Sequence, residues 1–219
     1  MSLSLYAHPF SSYCWKALIA LYENGTPFTY RVLEAEDPQA MVELQGFWPL
    51  KRFPLLRHGE RTVIEATSII EHLQVFHPGP APLIPLDAKA AVEVRMLDRV
   101  FDNYVMTPMQ VPVADAMRDP ADRDPTGVAK ARAGLDAIYV WLDERMRGRE
   151  WAVGEAFSLA DCAAAPSLFY ADWAHPIPGG LGALKAYRAR LLARPSVARA
   201  VEEARPFRAY FPLGAPDRD

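Results

Sequence analysis

Short runs of alternating hydrophobic and polar residues fill the first third of the chain and predict an α/β unit. Leu3, Leu5 and Tyr6 form a brief apolar strand, and the helix behind them keeps apolar residues at helical spacing as far as Asn24-Gly25. Further strands are predicted at residues 28–33, 55–57 and 62–64, and further helices at 38–44 and 66–76. This order, βαβ followed by ββα, predicts an α/β unit with a mixed four-stranded sheet.

A proline-rich segment follows and predicts a domain boundary. Residues 77–85 read H-P-G-P-A-P-L-I-P, with four prolines in nine positions. Such a segment cannot continue a helix or enter a sheet interior, so it is expected to connect two domains. We therefore expect a first domain at residues 1–78, a linker at 79–86 and a second domain at 87–219.

No strand pattern recurs beyond the linker, and the second domain is predicted to be all helical. Apolar residues recur at helical spacing from residue 87 to about 117, and again from Leu135 to Met146. Ser158 and Asp161 have the spacing of a capping box, and the helix behind them is apolar on every side, which is typical of a central helix. Two more helices are predicted at 182–193 and 196–204.

Composition and charge exclude several classes of function. The 219 residues are 51% hydrophobic and 23% charged, as in ordinary globular proteins. A net charge of −3 from 24 basic and 27 acidic side chains, without a basic block, argues against nucleic acid as a partner. Neither a leader sequence nor an apolar run of membrane-spanning length is evident, so a cytoplasmic protein that does not bind a membrane is expected. Cys14 and Cys162 are expected to be reduced and buried.

The candidate chemistry lies between the first strand and the first helix. Ser11 and Ser12 occupy the position of a helix N-cap. Unpaired N–H groups and the partial positive charge of a helix N-terminus stabilise an anion, and a serine hydroxyl can donate one more hydrogen bond. The pair could therefore hold a thiolate, an alkoxide or a phosphate, or could serve only as a cap.

Four motifs in matching order resemble those of the cytosolic glutathione transferases, and the resemblance covers essentially the whole chain. P-F-S-S-Y-C-W-K is similar to the serine-bearing first helix of the delta, theta and zeta classes. R-F-P-L-L resembles the family's V-P-x-L, in which the proline is cis, and I-E-A-T-S-I-I resembles its E-S-x-A-I. A-F-S-L-A-D-C resembles the capping box of its central helix. The resemblance implies a thioredoxin-like first domain, an all-helical second domain, and a homodimer.

The resemblance also implies the glutathione contacts. Ser11 would be the catalytic residue that donates a hydrogen bond to the glutathione thiolate, with Ser12 or Tyr6 as alternatives. The other implied contacts are the backbone of Phe53 beside Pro54 for the cysteinyl part, Glu65 for the γ-glutamyl ammonium, the backbone N–H of Ala66 and the Thr67 hydroxyl for the γ-glutamyl carboxylate, and Lys51 or Arg52 for the glycyl carboxylate.

The second substrate is expected between the two domains, against a wall rich in methionine and aromatic side chains. Such a wall favours a small apolar electrophile. The candidates for this pocket are Phe10, Phe101, Tyr104, Met106, Met109 and Trp173.

Two departures from the family pattern concern glutathione binding. Ala66 stands where the family has serine, so one hydroxyl contact is missing, and Thr67 could replace it. Trp48 stands where the family has a turn-forming asparagine. The sequence predicts a glutathione transferase, with two alternatives: a glutathione-dependent isomerase or dehalogenase, and a binding module without activity.

Cys14 allows a rival mechanism, thiol–disulfide exchange. In thioredoxin-like proteins a C-x-x-C motif opens this helix, but here the attacking position is Ser11. Exchange by this pair is therefore not expected. No metal is expected either, because His8 and His72 lack a third ligand at a useful spacing.

Overall fold

The computed structural model describes residues 2–34 and 38–219. Within these residues, the first part of the chain is an α/β unit with the element order β1, α1, β2, α2, β3, β4, α3. The bounds are Leu3–Ala7 for β1, Ser12–Glu23 for α1, Thr29–Val32 for β2, Pro38–Phe47 for α2, Leu55–His58 for β3, Arg61–Ile64 for β4 and Ala66–Phe76 for α3. The predicted α/β unit is confirmed.

The sheet has the strand order β2-β1-β3-β4, with β1 parallel to β2 and antiparallel to β3. Because side chains alternate across a strand, neighbouring residues enter different cores. Leu5 and Leu56 pack with α1 and α3 on one face, whereas Tyr6 and Leu55 pack with α2 on the other. The predicted mixed four-stranded sheet is thus confirmed, and helices cover both of its faces.

The rest of the chain is helical. The elements are α4 at Ala88–Val100, a π-helical segment at Phe101–Met106, α5 at Thr107–Ala116, a 3₁₀ turn at Pro120–Asp122, α6 at Pro125–Met146, α7 at Leu159–Ala174, α8 at Gly182–Ala193, α9 at Pro195–Ala204 and a 3₁₀ segment at Arg205–Tyr210. The helix predicted from 87 to about 117 is therefore continuous. Its π-helical middle has i→i+5 hydrogen bonds, a pattern that is frequent at functional sites.

Helix α7 is the centre of the second domain. Every one of its residues is buried, and Ser158 and Asp161 form the predicted capping box. The Asp161 carboxylate also accepts hydrogen bonds from the backbone N–H of Ala152 at 2.9 Å and from the Tyr187 hydroxyl at 2.6 Å. The cap therefore ties α7 to α8 and to the loop before α7.

Helices α1 and α7 pack together, so the two domains share one core. Trp15 and Ile19 of α1 belong to the same cluster of buried side chains as Leu168 and Phe169 of α7. Burying such side chains is worth roughly 1.5–3 kcal/mol each. The contact between the domains therefore contributes to the stability of both domains.

The proline-rich connection is packed against the first domain. The side-chain amide of Asn24 exchanges two hydrogen bonds with the backbone of Ala81, at 3.1 and 2.9 Å, and Gln74 does the same with Ile84, at 2.7 and 2.8 Å. Gly79 passes so close to Asn24 that an added Cβ would lie 2.2 Å from its side chain. These contacts fix the path of residues 79–84. The domain boundaries at 78 and 86 stay predictions.

Candidate active site

Ser11, in the turn between β1 and α1, does not use its hydroxyl to cap the helix. Ser11 is the N-cap of α1 in an extended conformation, yet its side chain makes no capping hydrogen bond. Its backbone carries the turn instead: its N–H donates to the His8 carbonyl and its carbonyl accepts from Trp15, both at 3.0 Å. Ser11 therefore presents a hydroxyl beside the N-terminus of a helix, where negative charge is stabilised.

Two side chains fix this turn through its carbonyl groups. The buried Trp15 indole donates to the carbonyl of Pro9 at 2.5 Å, and the Tyr170 hydroxyl of α7 donates to that of Phe10 at 2.9 Å. One contact comes from α1 and the other from the second domain. The position of Ser11 thus depends on both domains.

A cleft of about 690 Å³ opens in front of Ser11, between the two domains. It contains most of the residues predicted for glutathione: Lys51, Arg52, Phe53, Pro54, Glu65 and Ala66. Residues of the second domain complete its wall, and four of them are polar or charged groups that the sequence reasoning did not select: Arg99, Asp102, Asn103 and Gln110. We refer to this space as the polar cleft.

Backbone geometry shapes the floor of the polar cleft. The peptide bond between Phe53 and Pro54 is cis, as the resemblance implies. Glu65 has a φ of 67°, which residues with a side chain rarely adopt, and it immediately precedes α3. Such conformations persist where the surrounding structure imposes them, and they are common at binding sites. Glu65 thus enters the polar cleft from a constrained position.

Thr67 lies behind the polar cleft rather than in its lining. Its hydroxyl accepts hydrogen bonds from Lys16 Nζ at 2.8 Å and from Arg99 Nη1 at 3.1 Å, and it donates to Asp98 Oδ2 at 3.0 Å. A hydroxyl has one hydrogen and two lone pairs, so its capacity is fully used. The Thr67 side chain is therefore not available as the replacement for the missing serine hydroxyl.

The partners of Thr67 belong to a buried ionic cluster that sequence reasoning missed. Lys16 is 1% exposed and forms ion pairs with Asp98 and with Asp102, the latter at 2.7 Å. Burial raises the pKa of Asp102, and the nearby Lys16 opposes this effect. Desolvating a lone ammonium would cost several kcal/mol, so the two carboxylates are needed as counter-ions. Lys16 lies on α1 and both carboxylates lie after the linker, so the cluster joins the domains.

A second, apolar pocket of about 290 Å³ adjoins the polar cleft at Ser11. Ser11, Tyr13 and Gln110 line both spaces. Burial raises the pKa of Tyr13, so its hydroxyl remains a hydrogen-bond donor at neutral pH. The remaining lining residues are Phe10, Ser12, Met109, Val113, Ala114, Met117, Tyr170, Tyr210, Phe211 and Pro212.

The structure brings only part of the predicted electrophile wall to this apolar pocket. Phe10 and Met109 line it, and so does Ser12, which was predicted for glutathione. Phe101 and Met106 are fully buried in the helical core, and Trp173 packs against Phe169 and Phe211 behind the pocket. Tyr104 is 59% exposed and faces a different groove, beside Trp141. Aromatic side chains of the C-terminal segment, Tyr210 and Phe211, take the places expected for these residues.

Two rivals of Ser11, Tyr6 as the donor to the thiolate and Cys14 as a nucleophile, are not placed for these roles. The Tyr6 hydroxyl donates to Glu43 Oε2 at 2.8 Å, and Tyr6 packs on the face of the sheet that α2 covers. Cys14 is fully buried, and this burial raises the pKa of its thiol to about 12, although the Ser11 side chain and the His8 backbone oppose the shift. A protonated, inaccessible thiol is not a nucleophile. Ser11 is therefore the better placed group.

Two other features, a metal-binding cluster and a membrane-spanning helix, are absent from the described residues. Residues 2–34 and 38–219 contain no group of three or more histidine, cysteine or carboxylate side chains arranged to hold a metal ion. In the same ranges, none of the helices combines the length and the apolar character needed to cross a lipid bilayer.

Comparison with known families decides the classification. Residues 5–81 match the model of the glutathione S-transferase N-terminal domain, and residues 104–195 match that of the C-terminal domain. The chain belongs to the glutathione S-transferase family. These two matches confirm the resemblance and the fold class inferred from the sequence.

Three proteins that resemble this chain share between 23% and 28% of their aligned residues with it. The structure of a glutathione S-transferase from Methylobacterium radiotolerans in complex with glutathione sulfonate is 28% identical, with a TM-score of 0.79, and the match covers 92% of this chain and 95% of that one. Glutathione S-transferase 1 of Dianthus caryophyllus is 26% identical over 171 residues, which is 76% of each chain. A probable maleylacetoacetate isomerase of Caenorhabditis elegans is 23% identical over 170 residues, covering 77% of this chain and 78% of the relative.

Proposed function

We propose that this protein is a glutathione transferase that activates the glutathione thiol at Ser11 and transfers it to an apolar electrophile. The observation that carries the proposal is that Ser11 lines both the polar cleft and the apolar pocket. Glutathione bound in the polar cleft, with its sulfur at Ser11, faces the apolar pocket directly. Holding the two reactants in adjoining spaces converts a bimolecular reaction into an effectively unimolecular one.

The chemistry requires a thiolate. A cysteine thiol with a pKa near 8.5 is only a few per cent ionised at neutral pH, and lowering that pKa by about two units needs roughly 2.7 kcal/mol. The N-terminus of α1 contributes up to about 1 kcal/mol, and a hydrogen bond from the Ser11 hydroxyl to the charged sulfur contributes about 1.5–3 kcal/mol. The thiol proton goes to solvent, the sulfur forms a bond to the electrophilic carbon, and the leaving group departs with its electron pair.

The lining of the apolar pocket supports conjugation of an uncharged substrate. Among the described residues that form it, none carries a formal charge, and most are aromatic or aliphatic. A dicarboxylate substrate of the kind that an isomerase of organic acids would take needs cationic partners. Isomerisation is the second candidate reaction, because one of the similar proteins is a probable maleylacetoacetate isomerase.

A panel of substrates separates these functions. Apolar electrophiles with different leaving groups, and unsaturated acids that can isomerise, would each be incubated with the protein in the presence and absence of glutathione. We expect glutathione-dependent conjugation of the apolar compounds and retention of the protein on immobilised glutathione. Turnover of the unsaturated acids alone would favour the isomerase, and retention without any turnover would favour the binding module.

The expected homodimer is also part of the proposal. Helices α3 and α4 leave large apolar side chains exposed, namely Val75, Phe76, Val92 and Met96. A dimer that covers them would remove this apolar surface from water. Sedimentation equilibrium tests this: a species of twice the 24.5 kDa chain mass is expected, and a monomer at all concentrations would contradict it.

A further inference from the structure

Two side chains of opposite charge line the polar cleft near the N-terminal end of α3. Glu65 and Ala66 line the cleft from the first domain, and Arg99 lines it from α4. The α-amino-acid end of a γ-glutamyl group is a zwitterion, with an ammonium and a carboxylate on one carbon atom. Glu65 supplies a partner for the ammonium, whereas Ala66 can offer the carboxylate only its backbone N–H, and the Thr67 hydroxyl is already committed to other partners.

The position of Arg99 is fixed by the ionic cluster behind the cleft. Its Nη1 group donates to Thr67 Oγ1 at 3.1 Å and to Asp98 Oδ2 at 2.9 Å. Asp98 is fully buried and also pairs with Lys16, which is buried as well. The guanidinium is thus held on one side by groups that cannot move into solvent.

The opposite edge of the guanidinium is unoccupied. Among residues 2–34 and 38–219, neither Nε nor Nη2 of Arg99 has a hydrogen-bond partner, and the side chain is 56% exposed. The N–H bonds of Nε and Nη2 point in the same direction, and this fork matches the two oxygens of a carboxylate. Two carboxylates of the cleft could repel such a ligand, but Asp102 is paired with Lys16 and lies 3.9 Å from Nη1 of Arg99, and Glu65 is assigned to the ammonium of the same zwitterion.

We propose that Arg99 binds the α-carboxylate of the γ-glutamyl group through Nε and Nη2, and so replaces the hydroxyl that Ala66 lacks. This assignment rests on the proposed function, because it supposes that glutathione occupies the polar cleft. Glu65 and Arg99 then form a complementary pair for the zwitterion. Lys16, Asp98 and Thr67 are positioning residues that hold the guanidinium without touching the ligand.

A cycle of variants and ligand analogues tests this assignment. Calorimetric titration would compare glutathione with an analogue in which γ-aminobutyrate replaces the γ-glutamyl residue, so that only the α-carboxylate is missing. The wild-type protein should prefer glutathione by roughly tenfold or more, since a charge-assisted bidentate contact is lost in the analogue. In Arg99→Met this preference should almost disappear, and in Arg99→Lys, which keeps the charge without the fork, it should be intermediate.

Arg95→Met is the matched control. Arg95 lies one turn earlier on α4, pairs with Glu71 at the surface at 2.8 Å, and does not line the cleft. This variant should keep the wild-type preference. A second analogue lacks only the α-ammonium. The Arg99→Met variant should still bind glutathione more tightly than this analogue, because Glu65 is intact. A general distortion of the site would weaken binding of all three ligands alike, and that result would overturn the assignment.

Rescue provides an independent measurement. Ala66→Ser in the Arg99→Met background restores a hydroxyl at the end of α3, and it should recover part of the preference for the α-carboxylate. If Arg99→Met keeps the full preference while the wild-type protein binds glutathione, Arg99 is not the partner although the proposed function stands. If the wild-type protein binds neither glutathione nor the analogues, the proposed function itself fails.

Discussion

The hydroxyl of Tyr170, on the central helix of the second domain, donates a hydrogen bond to the carbonyl of Phe10, the residue before Ser11. Tyr170→Phe removes this bond and leaves a carbonyl without its donor. We expect the free energy of unfolding to fall by about 1–2 kcal/mol, and turnover to fall as the turn loosens. Denaturant unfolding and steady-state conjugation rates measure the two effects.

Tyr139→Phe is the matched control for this variant. Tyr139 also donates its hydroxyl to a backbone carbonyl, that of His175 at 3.1 Å, but it lies away from the cleft. A similar loss of stability with unchanged turnover is expected. Equal losses of turnover in both variants would show that Tyr170 acts only through global stability.

Ser11→Ala should raise the pKa of the bound glutathione thiol. One hydrogen bond to a charged group is worth about 1.5–3 kcal/mol, so turnover near neutral pH should fall roughly tenfold or more. The deficit should shrink as the pH rises, because the thiol then ionises without help. Ser12→Ala, which removes a hydroxyl from the first turn of the same helix, should change turnover much less. A pH-independent deficit would speak against thiolate stabilisation.

Cys14→Ala should leave conjugation intact. Burial raises the pKa of the Cys14 thiol to about 12, so the group is protonated and inaccessible in the folded protein. The variant should lose stability, by about 1 kcal/mol or more, because a small cavity replaces the sulfur. Titration of the native protein with a thiol reagent should modify Cys14 only after unfolding. Loss of activity in folded Cys14→Ala, with full activity in Ser11→Ala, would assign the mechanism to the cysteine.

Asp161→Ala should destabilise the protein more than an ordinary cap. The carboxylate accepts four hydrogen bonds, from the N–H and hydroxyl of Ser158, the N–H of Ala152 and the hydroxyl of Tyr187. Each buried donor left without a partner costs about 1–3 kcal/mol, so the loss should exceed about 3 kcal/mol. Ser158→Ala, which removes one donor and one cap, should cost about 1 kcal/mol. Equal unfolding midpoints for the two variants would contradict this difference.

His72 should make stability depend on pH. Burial lowers the pKa of His72 from its ordinary value of 6.5, and the neighbouring His58, Arg61 and His77 lower it further. The unfolded chain therefore binds this proton at a higher pH than the folded chain does. The contribution of neutral His72 to stability is fully present above pH 6.5 and is lost as the pH falls through the folded pKa. In His72→Gln the difference in unfolding free energy between about pH 7.5 and about pH 5.5 should be smaller than in the wild-type protein. An equal difference would exclude His72 as the source.

Local patterns were sufficient to predict most of the secondary structure. Helix α3 has the bounds that the periodicity of residues 66–76 predicts, and α7 has the predicted cap at Ser158, because spacing and capping are properties of neighbouring residues. The cleft contains Ser11, Glu65 and Pro54 as expected, because short motifs identify them. How far these residues perform their predicted roles awaits the experiments above.

Contacts between distant residues were not predictable in the same way. Lys16 reads as an exposed lysine in an amphipathic helix, and its burial depends on Asp98 and Asp102, which lie more than eighty positions later. Helical periodicity places Phe101 on an apolar face but cannot say whether that face meets a core or a pocket. The contribution of Tyr210 to the apolar pocket depends on how the C-terminal segment folds back, and that information is absent from its local sequence.

The counter-ions of Lys16 limit which parts of this protein can be exchanged with those of a relative. A chimaera that joined this first domain to a foreign helical half would carry an ammonium into a core without its two carboxylates, Asp98 and Asp102. Removing one member of a buried ion pair typically costs about 3–5 kcal/mol, a large fraction of the stability of a domain. A stable exchange by recombination therefore has to include parts of both domains. Lys16 and its two partners must be transferred together, or all three must be replaced at once.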